Sequence, residues 1–274
     1  MRFLKRPFKL YRKFRYRKGY GIHSPFAYNL ITKVIEEKTP FYAFDEIEKE
    51  RQKLLEKNGE TRRITQKETQ GKNYGALLFR LVNFFKCRTV LQIGGSTGIM
   101  SLYFSMSAPK TCTCWVLEER GDLLNEIREF TEHRNLNKWR ISYGAYEESL
   151  SKLKNLLKTA DILFLNQFGN PELTKRAFDL SQSFIGENTI LIIDGIEANK
   201  KMRSLWKEWQ NLPDTQVSVN LYALGILFFN KKLQKQHYKN YFNYGKKQNL
   251  YWKRRRRIHF FGRRNKGSQN ESSN

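Results

Sequence analysis

From residue 88 onward, short apolar runs alternate with longer amphipathic segments. Runs of about five mostly apolar residues favour buried strands, whereas apolar residues that recur every three or four positions favour helices. The predicted strands are 89–93, 113–117, 139–143, 161–165 and 189–193, and a helical pattern follows each of them. Regular strand–helix alternation predicts a parallel sheet with right-handed crossover connections.

The two flanks of this region have different patterns. Two final strands, at about 215–221 and 225–230, lie too close together for an intervening helix and therefore predict a hairpin. Before residue 88 the sequence predicts helices and no strand. The expected segments are a helix that begins at Ser24-Pro25, a helix over Asp45–Lys57, a polar loop over 60–73 and a helix over Tyr74–Lys86.

Three glycines in five residues separate the first predicted strand from its helix. The turn is Gly94-Gly-Ser-Thr-Gly98, and its backbone can approach a ligand closely because glycine has no Cβ atom. It matches neither the nicotinamide fingerprint nor the P-loop. Glu118 follows Gly98 by 20 residues, the spacing at which a carboxylate can accept both hydroxyls of a ribose. The sequence therefore predicts a nucleoside ligand that lacks a pyrophosphate.

The segment Gln92-Ile-Gly-Gly-Ser-Thr-Gly98, with Glu118 after the next strand, resembles the first two motifs of class I S-adenosylmethionine (SAM)-dependent methyltransferases. Further stretches resemble a bacterial family of catechol O-methyltransferase-like proteins, and the likeness covers roughly residues 17 to 238. Those stretches are 19–26, 74–83, 191–194 and 224–229.

The resemblance implies an α/β, Rossmann-like class I methyltransferase fold. Its sheet would have seven mostly parallel strands, with a C-terminal antiparallel hairpin and an N-terminal helical extension. It also implies SAM as cofactor and methyl transfer to an unidentified acceptor, with oxygen favoured. The adenine is expected near Tyr143–Tyr146, because these residues follow the third predicted strand. The candidate cofactor-binding residues are Gly94, Gly95, Ser96, Gly98, Glu118 and Asn166.

The chain departs from that family at the ends of three strands. Gln92 and Asn166 stand where the family usually has acidic residues, and Gly195 follows Asp194 where it usually has Asp or Asn. In the metal-dependent relatives the last positions bind a divalent cation, which requires several oxygen ligands. We therefore predict no metal site and metal-independent activity. Asp194 remains a candidate general base toward a substrate hydroxyl.

Two alternatives remain open at this stage. Gly94-x-Ser96-x-Gly98, followed by Asp194 and His237, matches a hydrolase nucleophile elbow, although that fold has strands before the elbow and an oxyanion loop that this sequence lacks. The second alternative is a catalytically inactive, methyltransferase-like protein that contacts a polyanion.

The formal net charge of +25 is concentrated at the two ends of the chain. Residues 1–20 carry nine Lys and Arg and no acid, and residues 239–274 carry eleven against a single Glu. Aromatic residues are interleaved with these cations, as in surfaces that bind nucleic acid or anionic membranes. We expect these basic arms to bind such a polyanion.

The remaining composition favours a cytoplasmic protein. Three cysteines form no disulfide framework, and we find neither a signal peptide nor an apolar run of membrane-spanning length. We predict four regions: a basic aromatic arm (1–19), an N-terminal helical extension (20–73), a Rossmann-like domain (74–238) and a basic tail (239–274).

Overall fold

The computed structural model describes residues 21–68, 70–107, 112–120, 128, 132 and 139–244. The predictions for residues 1–20 and for the tail from residue 245 lie outside the described residues, as does most of the helical segment predicted after the second strand.

One mixed sheet runs through the described part of the chain. Its order is β3-β2-β1-β4-β5-β7-β6-β8, so the strand order reverses direction between β1 and β4. Strands β1 to β5 are parallel, β7 is antiparallel to both β5 and β6, and β8 is parallel to β6. The strands are β1 (Thr89–Ile93), β2 (Thr113–Glu118), β3 (Trp139–Tyr143), β4 (Ile162–Leu165), β5 (Ile190–Asp194), β6 (Val217–Asn220), β7 (Leu224–Phe228) and β8 (Gln236–Lys239).

Helices cover both faces of the sheet. Three of them begin at a side-chain cap that the sequence supplies: Ser24, Asn170 and Asn199 each accept a backbone N–H from the residue three positions later. The helices are α1 (Pro25–Leu30, continued by a π-helical turn, Ile31–Ile35), α2 (Tyr42–Glu56), α3 (Glu60–Glu68), α4 (Lys72–Phe85), α5 (Ile99–Ser107), α6 (Tyr146–Lys154), α7 (Pro171–Ser181) and α8 (Lys200–Gln210). None of the described helices is both long and apolar enough to cross a membrane.

The core has two layers because successive strand residues point to opposite faces. Val90 and Phe164 belong to the layer under α1, α2, α4 and α5, whereas Leu91 and Leu163 belong to the layer under α6, α7 and α8. A hydrogen bond from the Tyr103 hydroxyl to Glu48 Oε1 (2.8 Å) joins α5 to α2. The N-terminal helices therefore share the hydrophobic core of the sheet.

The predicted α/β fold with its C-terminal hairpin is confirmed, with two local differences. The segment 60–68 is helical, so the prediction of a polar loop there was wrong. Among residues 60–66 of α3, whose side chains the structure describes, Ile64 and Thr65 alone are buried, so the sequence had almost no hydrophobic periodicity there. The described sheet has eight strands instead of the expected seven, because β8 pairs with β6. β8 extends one residue beyond position 238, where we predicted the Rossmann-like domain to end.

Candidate active site

The glycine turn lies directly beyond β1, at the point where the strand order reverses. Gly94 and Gly98 have φ angles of +92° and +80°, which side chains disfavour. A Cβ atom on Gly94 would lie 2.3 Å from the backbone oxygen of Asn166. The turn thus requires glycine both for its conformation and for its close approach to the end of β4.

Two side-chain amides hold the first carbonyl of this turn. Gln92 Nε2 donates to Gly94 O at 2.9 Å, and Asn166 Nδ2 donates to the same oxygen at 3.0 Å. Gln92 Oε1 accepts from the Ser101 hydroxyl of α5 at 2.8 Å. An ionised carboxylate has no proton to donate. Gln92 and Asn166 replace acidic residues of the family. They share one structural role, because each donates a side-chain hydrogen bond to Gly94 O.

Glu118, at the end of β2, contacts the same turn. Its Oε2 accepts the backbone N–H of Ser96 at 2.6 Å, and its Oε1 accepts both the backbone N–H and Nε of Arg120 at 3.1 Å. The carboxylate is 2% exposed, whereas the Arg120 side chain is 44% exposed. Arg120 therefore lies between the carboxylate predicted to hold a ribose and the solvent.

The turn is buried along its whole length, as is every residue from Leu91 to Met100. Two buried oxygens of this region, Thr97 Oγ1 and Asn166 Oδ1, have no hydrogen-bond partner within the described part of the chain. Buried polar atoms are rarely left unpaired. A ligand with hydroxyl, ammonium or amino groups could satisfy them, so the polar groups around the turn fit a nucleoside such as that of SAM.

Tyr146 begins α6 beside this region. Its hydroxyl accepts Gln167 Nε2 at 3.2 Å, and Gln167 Nε2 also donates to Ile93 O at 3.3 Å. The Arg176 guanidinium lies over the Tyr146 ring at 5.5 Å and pairs with Glu119 and Glu147. Tyr146 is thus connected to the end of β1, on the side where the sequence predicts adenine.

Asp194 lies at the end of β5 in a different environment. Its Oδ1 accepts the Tyr74 hydroxyl at 2.9 Å and Gln70 Nε2 at 3.3 Å. Burial raises the pKa of Asp194 to about 7, although the Tyr74 and Gly195 hydrogen bonds act in the opposite direction. Such a carboxyl group can exchange a proton near neutral pH.

The backbone at Gly195 explains why this chain has glycine where the family usually has Asp or Asn. Its φ angle is +72°, and a Cβ atom there would lie 2.5 Å from the Cα of Gly169. Its N–H donates to Ala223 O at 2.6 Å. The backbone of Gly169 packs so closely against Gly195 that no side chain fits at position 195, including one that could bind a metal. Among the described residues there is no group of three or more His, Cys, Asp or Glu that could hold a metal ion.

The hydrolase alternative requires Ser96, Asp194 and His237 to act together. His237 lies on β8, where its Nδ1 is 2.8 Å from the Ser218 hydroxyl. Asp194 lies at the end of β5 and is hydrogen-bonded to Tyr74 and Gln70. The structure therefore does not assemble a Ser–His–Asp triad.

Several residues of the site were missed by sequence reasoning. Gln70 and Tyr74 precede Asp194 by more than a hundred residues, and no local pattern connects them to it. Tyr74 did lie in a stretch that resembled the family, which was the one available signal. Arg120 and Gln167 belong to no motif that the sequence analysis identified.

No protein-family model matches the sequence, and no curated protein does. The structure, by contrast, is similar to solved methyltransferases. The methyltransferase PaMTH1 from Podospora anserina, solved with SAH, is 13% identical with a TM-score of 0.56, over 76% of this chain and 96% of that one. A methyltransferase from Geobacter sulfurreducens is 13% identical with a TM-score of 0.54, over 71% and 92%. The O-methyltransferase TomG from Streptomyces achromogenes, solved with SAM, is 12% identical with a TM-score of 0.53, over 70% and 91%. This chain therefore has the fold of the class I O-methyltransferases.

Proposed function

We propose that this protein is a SAM-dependent methyltransferase that transfers a methyl group to an oxygen acceptor without a metal ion. The observation that carries the proposal is the buried glycine turn with the Glu118 carboxylate against it, at the point where the strand order reverses. Ligands of open α/β sheets bind at this point, beyond the carboxyl ends of the strands. Similar structures that were solved with SAM or SAH support the same cofactor.

The residues around the turn have distinct roles in this proposal. Glu118 accepts the ribose hydroxyls, and Arg120 moves outward to admit them because it covers the carboxylate. Thr97 and Asn166 offer their unpaired oxygens to the cofactor. When bound, SAM supplies a methyl group on a positively charged sulfur. The contribution of the protein is mostly to align the acceptor oxygen with that carbon.

Asp194 is the general base in this proposal. Its carboxylate takes the proton of the acceptor hydroxyl, and its pKa near 7 allows it to be ionised at physiological pH while still able to bind a proton. Tyr74 and Gln70 orient it through their hydrogen bonds to Oδ1. The backbone packing at Gly195 supports metal independence, since no ligand side chain fits there.

The first test is SAM binding to the full chain. SAM should raise the melting temperature, because a ligand that binds only the folded state stabilises it. In calorimetry, Glu118→Ala should weaken SAM binding by at least about tenfold, since it removes a charged hydrogen-bond acceptor. Glu187→Ala, which changes an exposed carboxylate remote from the turn, serves as the matched control.

Equal SAM affinity in Glu118→Ala and wild-type protein would overturn the site assignment. Turnover should be the same after chelator treatment and after magnesium is added back, and activity restored by magnesium would contradict the metal-independent route. Tight SAM binding with no turnover on any hydroxylated acceptor would instead favour a binding protein.

A further inference from the structure

A cavity lies on the N-terminal helices, away from the glycine turn. Its volume is about 910 Å³, within the range of small-molecule sites. It lies between one side of α4 and the loop that follows the π-helical turn, and residues 241–243 also line it. No part of the proposed methyl-transfer reaction uses this cavity.

Arg80 of α4 lines the cavity and is 8% exposed. Its Nε donates to Val34 O at 2.8 Å, near the C-terminal end of the π-helical turn. Within the described residues, this is its single hydrogen bond, and no carboxylate lies within ion-pair distance. Burial lowers the pKa of Arg80 to about 10, so it stays positively charged at neutral pH. The two terminal nitrogens are therefore charged donors that the described chain does not pair.

Two other charged side chains that line the cavity, Lys72 and Glu37, have partners of their own. Lys72 Nζ pairs with Asp45 Oδ1 at 2.6 Å. Glu37 Oε1 accepts the backbone N–H groups of Lys38 and Thr39 and the Thr39 hydroxyl. Glu37 also interacts electrostatically with Arg80 at longer range. This interaction offsets part of the buried charge but leaves the donors of Arg80 without an acceptor.

We propose that this cavity binds a small organic oxyanion, whose carboxylate or phosphate group pairs with the Arg80 guanidinium. The planar guanidinium presents parallel N–H groups that match two oxygens of either anion. The apolar part of the ligand packs against Ile35, Phe44 and Ala76 on the cavity wall. Hydrogen bonds between a guanidinium and such an anion are charge-assisted and stronger than those between neutral groups.

The test measures binding to the full chain of two anionic probes, benzoate and phenyl phosphate. Benzyl alcohol, which is similar in size but uncharged, is the control. Ionic strength is held constant because the basic arms attract any anion weakly. At least one anion should raise the melting temperature saturably, whereas benzyl alcohol should not. Arg80→Met should weaken that binding by at least about tenfold. Arg203→Met, which removes an exposed arginine from α8, should leave it unchanged.

A backbone-amide NMR titration of the wild-type chain locates the ligand without any substitution. Signals from Thr39 and Asn243, at the cavity, should move with the probe, whereas the signal of Gly98 in the glycine turn should not. The proposal is wrong if neither anion binds, if Arg80→Met binds as tightly as the wild type, or if the shifted signals lie elsewhere. In each case Arg80 would serve only to bond the end of the π-helical turn.

Discussion

Two carboxylates at the carboxyl ends of parallel strands have opposite surroundings. Glu118, at the end of β2, is bonded to two backbone N–H groups and a guanidinium. Asp194, at the end of β5, is bonded to the neutral side chains of Tyr74 and Gln70. Burial without a neighbouring cation raises the pKa of Asp194 to about 7, whereas both oxygens of Glu118 accept hydrogen bonds from the glycine turn or Arg120. The proposed function therefore makes Glu118 a hydrogen-bond acceptor for the ligand and Asp194 the group that exchanges protons.

The largest expected effect comes from Asp194→Asn. The amide cannot accept the proton of the substrate, so turnover should fall by roughly 10²–10⁴-fold, the usual contribution of a general base. SAM affinity should stay within a factor of about two, because Asp194 follows β5 whereas the glycine turn follows β1, with β4 between them. Asp179→Asn, an exposed aspartate on α7, is the matched control. Wild-type turnover in Asp194→Asn would remove Asp194 from the mechanism.

The same variant tests the ionisation of Asp194 in the folded chain. The folded pKa of about 7 lies above the ordinary value of 3.8, so the wild type loses stability as pH rises from about 4 through 7. Asp194→Asn lacks this loss and should gain stability relative to wild type over that interval, with no further gain above it. Urea unfolding from pH 4 to 8 measures the difference. A difference that is independent of pH would contradict the near-neutral pKa.

The glycine turn that contacts Glu118 can be perturbed through the side-chain amides that donate to Gly94 O. Asn166→Asp replaces a donor to Gly94 O with an acceptor, and should lower the free energy of unfolding by about 1–3 kcal/mol at pH 8. Asn188→Asp is the control, because the exposed Asn188 uses only its oxygen, which accepts Asn230 Nδ2. Equal unfolding free energies for the two variants would show that the amide donor has no structural importance.

A smaller effect is expected from Tyr74→Phe. The Tyr74 hydrogen bond lowers the pKa of Asp194, so its loss should move the acidic limb of the pH–rate profile to higher pH. Activity at pH 7 should fall by about tenfold and recover toward wild type at alkaline pH. A purely structural defect would lower the rate at every pH. Tyr103→Phe, which removes another buried hydroxyl bonded to a carboxylate, should leave the profile in place.

The smallest expected effect is that of Arg120→Ala. Arg120 covers Glu118 but is partly exposed, and such ion pairs contribute at most about 1 kcal/mol. Removing it should let the ribose reach the carboxylate more easily and tighten SAM binding by up to about fivefold. Calorimetry checks this, and weaker binding would mean that Arg120 helps to hold the cofactor.

Local features of this site were predictable from the sequence, and long-range ones were not. The glycine turn, Glu118 and Asp194 follow apolar strands directly, so hydrophobic periodicity placed them at one edge of the sheet. Gln70 and Tyr74 reach Asp194 only through tertiary packing. Gly195 could be recognised as a missing ligand, but the cause, its contact with Gly169, required the structure.

The fold shows the same division. The five parallel strands and the hairpin were visible as apolar runs, whereas β8 reads Gln-His-Tyr-Lys and contains no such run. It forms because β6 offers it an unpaired edge. Over its described side chains, residues 60–66, helix α3 buries Ile64 and Thr65 alone, so it depends on packing against α2 more than on its own pattern.

Strand β8 covers a strand that could otherwise pair with another molecule. Without it, β6 (Val217–Asn220), which is buried along its length, would be an open sheet edge able to recruit a strand from another molecule. β8 replaces that edge with a four-residue strand that is only half-buried and ends at Lys239. Short edges that carry charge discourage intermolecular strand pairing. A chain shortened to end before Gln236 should therefore be prone to aggregate, even though the predicted catalytic residues would all remain.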